Sequence, residues 1–394
     1  MASNLEKFNM LIIIVLNILN FRKVVNMLRT KNLKRCLACF VTVCIGSGLA
    51  VKSQNIQDLT SEISKCENET YDVEITNKNT EILVPEKLNY GDKICILEPA
   101  RTSKYKEKIF KERLPIVVKN LEKRGFEVVV YDESFQTSLL GVGDGTEEIR
   151  AEQFNRAVED PEIKAIFAFW GGYGSAHILD KINYEKLREN KKIFVGFSDE
   201  TALEMALFEK SGVVTFHGPM VGATLNYQEE KTFDNLFDIL MNVKPEFELK
   251  NIDDNSEFKL YKNNKNIVVE GEVIGGNLCL IQSLIGTPYE PDYEDKILFF
   301  EEVDEDDYVI HQMLWHLKLS GKLNKIAGII IGSLTPSSEK VSEEHLLNVC
   351  FDVLDKFDIP IIYNFHAGHI KNPLTLPISP RCTPGSRFPG AAGG

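Results

Sequence analysis

The chain has 394 residues, 43% hydrophobic and 26% charged, which is enough for two domains with proper cores and unlike a disordered chain. A net charge of −13 argues against a nucleic-acid or anionic-membrane partner, because phosphate binding needs clustered Lys and Arg. Outside the N-terminal apolar region the cysteines are scattered without metal or disulfide spacing, and Cys95, Cys279 and Cys350 are expected as small buried hydrophobes.

"MLIIIVLNILNF" (10–21) is apolar but shorter than a membrane span. From Met27 the chain has a basic start, an apolar stretch and the small residues Gly48 and Ala50, the layout of a secretory signal peptide. Residues 1–54 are therefore expected to be a signal peptide or membrane anchor, giving a secreted or anchored protein; without that role the protein would be cytoplasmic. Residues 55–88 read as a loose leader.

"KICILEP" (93–99) reads as a strand, followed by a periodic helix interrupted at Pro115 and ended by Gly125. "FEVVVYD", "IKAIFAFW" and "KIFVGFS" are further strands, with an amphipathic helix over 145–161 and a turn into helix at "GGYGSAHILDKI". Strands alternating with helices predict an α/β fold with an N-terminal doubly wound parallel sheet over 89–225. Residues 226–265 read as a linker, and 266–378 as a smaller C-terminal α/β domain. The Pro-, Gly- and Arg-rich stretch 379–394 reads as a disordered or non-native tail.

In a doubly wound sheet, ligands bind beyond the carboxyl ends of the strands, where "WGGYGS" and "GFSDE" both lie. Ser198 and Asp199 can be read as ordinary helix-capping residues. They can also be read as a nucleophile elbow, with the hydroxyl on a tight strand-to-helix turn and the next N–H free to hold an oxyanion. Strand "KILFF" runs into Glu301, and "IPIIYNFHAGH" ends in Gly368 and His369. Ser198, Glu301 and His369 thus form a candidate Ser–Glu–His set, since a serine needs an imidazole to take its proton and a carboxylate to orient that imidazole. His366 competes with His369, and His217, His311 and His316 remain as ordinary histidines.

The block 167–220, from "FAFWGGYGS" through "GFSDETAL" to "FHGPM", resembles the LD-carboxypeptidase family. That family comprises the muramoyl-tetrapeptide carboxypeptidases and also includes microcin C immunity hydrolases. "VIGGNLCLIQSLIGTPY", "ILFFEEVDED" and "GHIKNPLTLPI" resemble later blocks of the family in the same order, so the likeness covers about 90–378. It implies a sheet like that of class I glutamine amidotransferases and a serine peptidase without metal or cofactor. On that resemblance Ser198 is the nucleophile, His369 the base and Glu301 its carboxylate. Asp199 and Gly172 supply the oxyanion N–H groups, and Trp170, Gly171 and Tyr173 border the substrate. The implied reaction is cleavage of an L,D-peptide bond in a muropeptide, with release of a terminal D-amino acid. A homodimer is a further expectation; no nucleic acid is expected, and no membrane beyond the N-terminal anchor.

The chain departs from the family in having Trp170, Val309 and Gln312 where many relatives carry arginine, which leaves Lys181 and Arg150 as candidate cations for a peptide carboxylate. The alternatives are an immunity-type amidohydrolase of peptidyl-nucleotides, with Trp170 stacking a base, and a non-catalytic muropeptide binder. A phosphate cradle at "GGYGS" fits poorly, since the glycines match neither dinucleotide nor P-loop spacing.

Overall fold

Short apolar runs rich in Ile and Val build the first sheet: β1 (Lys93–Leu97), β2 (Glu127–Val130), β3 (Ile163–Ala168), β4 (Ile193–Gly196) and β5 (Thr215–His217). In the computed structural model these five strands are parallel and lie in the order β5-β4-β3-β1-β2. The described residues are 81–100, 107–131, 146–224, 230–244, 246–247, 258–262, 269–378 and 381–382, all within one compact unit, 79–394. The expected signal or anchor region and the end of the tail lie outside them.

Crossover helices α1 (Glu107–Lys123), α2 (Thr146–Glu159), α3 (Tyr184–Asn190) and α4 (Thr201–Ser211) connect the strands. α1 runs through Pro115 instead of breaking there. The proline is exposed, as is Lys111 one turn before it, so the ring faces solvent and not the core. After β5 come the single turn α5 (Val221–Thr224) and the helix α6 (Glu230–Met241).

The second sheet contains β6 (Glu246–Phe247), β7 (Lys259–Lys262), β8 (Gly271–Asn277), β9 (Ile297–Glu305), β10 (Gly328–Pro336) and β11 (Ile361–Tyr363). Its centre, β8-β9-β10-β11, is parallel and is joined by α7 (Leu278–Leu284), α8 (Asp307–Leu319) and α9 (Glu343–Leu354). The molecule is thus α/β with two sheets. Among the described residues no helix is long and apolar enough to cross a membrane.

Four boundaries differ from the sequence reading. α6 is no linker: Phe233, Leu236, Phe237 and Leu240 share a core with Ile96 and Phe167, and β7 pairs antiparallel with β11. β12 (Leu376–Ile378) leaves the second sheet and pairs antiparallel with β5, completing the first. In the tail, β13 (Arg381–Cys382) pairs antiparallel with β8. The leader contributes Leu83, bridged to Val213, and the buried Leu88. Cys95 and Cys350 are buried as expected, whereas Cys279, in the first turn of α7, is exposed.

α4 sits between the sheets and is buried at every position except Lys210. One continuous cluster joins Phe194, Leu203 and Leu207 to Ile274, Leu298 and Phe300 of the second sheet. Each such side chain contributes about 1.5–3 kcal/mol on burial, so the two sheets hold one another through α4.

Candidate active site

β4 is buried at all four positions, and its end delivers Phe197 in extended form (φ −165°, ψ −177°) and then Ser198 at φ +65°. A left-handed serine stores strain of order 1–3 kcal/mol, and here it turns the chain sharply from strand through a 3-10 turn (Ser198–Glu200) into α4. Gly196 makes room for this turn: a Cβ there would lie 2.8 Å from the Cβ of Glu200.

His369 arrives on the segment after β11. Gly368 before it holds φ +113°, and a Cβ at that position would come 2.8 Å from Glu301 and overlap the Ser333 hydroxyl. Only glycine both takes that φ and fits there. The His369 ring packs on Phe197 at 4.8 Å between centroids. Its Nδ1–H donates to Glu301 Oε2 at 2.6 Å, and its Nε2 accepts from Ser198 Oγ at 2.9 Å. Glu301 is fully buried, and β9 carries on through it to Glu305 instead of ending there. Burial works against the imidazolium, but the Glu301 hydrogen bond and charge outweigh it and raise the His369 pKa above the ordinary histidine value. A hydroxyl, an imidazole and a buried carboxylate in this line can move a proton off the serine as it attacks an electrophile.

The other histidines are engaged elsewhere. His217 bonds Glu204 at 3.1 Å, and His366 Nε2 lies 3.0 Å from the Lys371 carbonyl. His311 accepts from Trp315 Nε1 at 3.0 Å, and His316 meets Gln282 at 3.0 Å.

A polar frame holds the elbow. Asp199 Oδ2 accepts the Ser175 N–H at 2.7 Å, and the Ser175 hydroxyl donates to the Asp199 carbonyl, tying the "GGYGS" turn to the serine. Arg150 is buried and donates to the carbonyls of Gly174 (2.9 Å) and Pro99, so it fastens the turn instead of reading a substrate carboxylate as the sequence suggested. Lys181, the other suggested cation, pairs with Asp180 at 3.2 Å and Glu148 at 3.9 Å. On the opposite side, Thr201 Oγ1 accepts the Asn277 N–H at 2.9 Å. Glu302 takes three donors: Asn277 Nδ2 (2.7 Å), Val303 N–H (2.9 Å) and Cys279 N–H (2.9 Å). Burial pushes its carboxyl up to about 7 against the pull of those donors.

β3 and β4 pair with Phe167 opposite Val195, so Trp170 and Ser198, each three residues on, leave the same edge of the sheet. Gly171 is buried, Gly172 is exposed at φ +138°, and Tyr173 is 57% exposed with its ring edge-on to His177. Trp170 is half-buried, and the Arg113 guanidinium lies 4.9 Å from its ring centroid while donating to the Gly222 carbonyl at 2.8 Å. α1 therefore brings a cation to the turn, which its helical pattern did not reveal. Glu302, Asn277, Thr201 and Ser175 were likewise missed, because polar residues at strand and helix ends read as solvated. Among the described residues, no three His, Cys, Asp or Glu side chains converge to hold a metal ion.

The chain as a whole is similar to known proteins. The LD-carboxypeptidase N-terminal domain matches residues 94–218 and the LD-carboxypeptidase C-terminal domain matches 270–383. A probable murein peptide carboxypeptidase of Bacillus subtilis is 30% identical, the alignment covering 75% of this chain and 89% of that protein. The microcin C7 self-immunity protein MccF of Escherichia coli is also 30% identical, over 66% of this chain and 82% of that protein. The solved structure of MccF in complex with aspartyl sulfamoyl adenosine superposes with a TM-score of 0.64 at 25% identity, over 76% of this chain and 94% of the other. The chain belongs to the LD-carboxypeptidase family, which takes in murein peptide carboxypeptidases and MccF-type self-immunity proteins.

Proposed function

We propose that the protein is a serine carboxypeptidase that hydrolyses an L,D-peptide bond in peptidoglycan-derived peptides and releases the terminal D-amino acid. The observation that carries this reading is the line Ser198–His369–Glu301, closed at 2.9 and 2.6 Å with the serine held at φ +65°. Ser198 Oγ attacks the carbonyl carbon while His369 Nε2 takes its proton and Glu301 steadies the imidazolium. The oxyanion forms against the Asp199 and Gly172 N–H groups. His369 then protonates the leaving amine, giving an acyl-enzyme. A water that loses its proton to His369 releases the shortened peptide and restores the serine.

Arg113 favours the carboxypeptidase over the immunity-type amidohydrolase, because a substrate ending in a free carboxylate needs a cation beside the Trp170–Tyr173 turn. The full chain incubated with L,D- and L,L-linked tetrapeptides and with aspartyl sulfamoyl adenosine should release D-alanine from the first alone, detected by mass. Ser198→Ala and His369→Ala should each abolish release while the chain stays folded. Cleavage of the sulfamoyl adenosine without D-alanine release would move the assignment to the immunity branch. Activity surviving Ser198→Ala would overturn the serine mechanism.

A further inference from the structure

Glu200 follows the elbow directly, and no role described so far uses it. Its side chain is wholly buried, and neither carboxyl oxygen has a hydrogen-bond partner. It stands at the N-cap of α4 but makes no capping bond, so helix termination does not account for it. The side chain fills a slot between two strand ends. A Cβ on Gly196 would lie 2.8 Å from its Cβ, and a Cβ on Gly171 would lie 3.2 Å from its Oε2. The carboxyl thus sits directly against Gly171, next to the Gly172 N–H that the proposed mechanism aims at the acyl oxygen.

The surroundings decide its protonation. Met220, which is apolar, lines the same side of Gly171, and the only donors leaning toward the carboxyl are its own backbone N–H and that of Ala100, whose pull burial outweighs. The charges that reach it are both negative: Asp199 beside it and Glu204 one turn along α4. Burial first, and then those two carboxylates, hold its pKa well above the usual carboxylate range.

We propose that Glu200 is a positioning residue of this site, a buried neutral acid that supports the Gly171–Gly172 turn and keeps negative charge away from the point where the oxyanion develops. This rests on the serine-hydrolase reading above. As the acid, Glu200 presents an O–H dipole beneath the turn; as the anion, it opposes the charge that the turn must stabilise. Ionisation of Glu200 therefore switches Ser198 off from the alkaline side, while protonation of His369 switches it off from the acid side.

The test is the rate at which a fluorophosphonate labels Ser198 in the full chain, followed by intact mass from pH 5 to 10. In that reaction Ser198 Oγ bonds to phosphorus, fluoride leaves and His369 takes the hydroxyl proton, so no peptide substrate is needed. Wild type should show a bell-shaped profile. Glu200→Gln, neutral at every pH, should keep the pH 7 rate within about threefold and lose the alkaline fall. Glu200→Ala, which empties the slot, should label at least about tenfold more slowly. The proposal is overturned if Glu200→Gln falls off at the same alkaline pH as wild type, or if a folded Glu200→Ala labels as fast. Should the alanine variant not fold, the comparison of glutamine with wild type decides alone. A wild type that never labels at Ser198 refutes the serine-hydrolase reading itself, a result distinguishable from either failure of the Glu200 variants.

Discussion

Replacing Glu302 by Gln should change the pH dependence of stability more than the stability itself. Burial pushes the folded carboxyl up to about 7, from an ordinary value of 4.5. The folded state therefore holds its proton more tightly than the unfolded chain does, and stability falls as pH rises from about 4.5 to about 7. A shift of that size corresponds to ~3 kcal/mol lost across the window, at about 1.4 kcal/mol per pH unit. Gln keeps the Oε1 acceptor for Asn277 and Val303 but turns an NH2 toward the Cys279 N–H, which costs about 1–3 kcal/mol at every pH. At pH 5 the variant should melt below wild type; by pH 8 the gap should close or reverse. Glu200 and Glu204 titrate in both proteins and cancel in the difference. Thermal melts of the two proteins at half-unit steps from pH 5 to 8.5 measure it. A gap that stays constant across that range would show that Glu302 is already ionised at pH 5, and the reasoning from its burial would be wrong.

The raised His369 pKa places the acid limb of kcat/KM above the free-histidine value, with the rate rising as pH passes through it. Glu301→Gln removes the carboxylate that raises it, so the limb should move to lower pH while kcat falls by ~10²-fold or more. Gly368→Ala must take φ +113° and meet Glu301 at 2.8 Å; it should cost about 2–3 kcal/mol of stability and, through a displaced imidazole, ~10²-fold in kcat. A variant that melted and turned over like wild type would contradict the contact. Arg113→Ala should raise KM about tenfold for peptides ending in a free carboxylate and leave their C-terminal amides unaffected. Trp170→Arg should gain nothing, because it sets a second guanidinium beside Arg113 and removes the ring under it.

The strands of the first sheet were readable because β1 (KICIL), β3 (IKAIFA) and β4 (IFVG) are short, almost wholly apolar runs between turn residues, and a parallel buried strand requires little else. From its place after such a run Ser198 could be read as a helix cap or as a nucleophile, and His366 competed with His369; the family resemblance, not the local pattern, singled out the pair. What escaped were residues whose polarity pointed the wrong way. Glu204 and Glu209, with Glu200 at its N-cap, make α4 look half-solvated, yet all three are buried, since α4 is covered from both sides. Arg150 looked like a substrate cation because sequence gives no sign that two carbonyls await it. The course of β12 was hidden for another reason. Three residues with a proline in the middle carry no signal of which sheet will accept them.

That course fixes the order in which the protein can be made. The whole second sheet, apart from β13, lies in the chain between β5 and β12, while β12 closes the edge of the first sheet. On a ribosome, the N-terminal half emerges with β5 as an open edge and must wait for more than a hundred residues before its cover appears. An uncovered parallel edge of buried strands is a template for intermolecular pairing. His369 lies on the same returning segment, seven residues ahead of Leu376, so edge closure and delivery of the imidazole come together. A product that stops short of β12 lacks both its cover and a settled histidine. A chain ending before β12 should therefore expose the β5 edge and leave the imidazole unplaced in a single step.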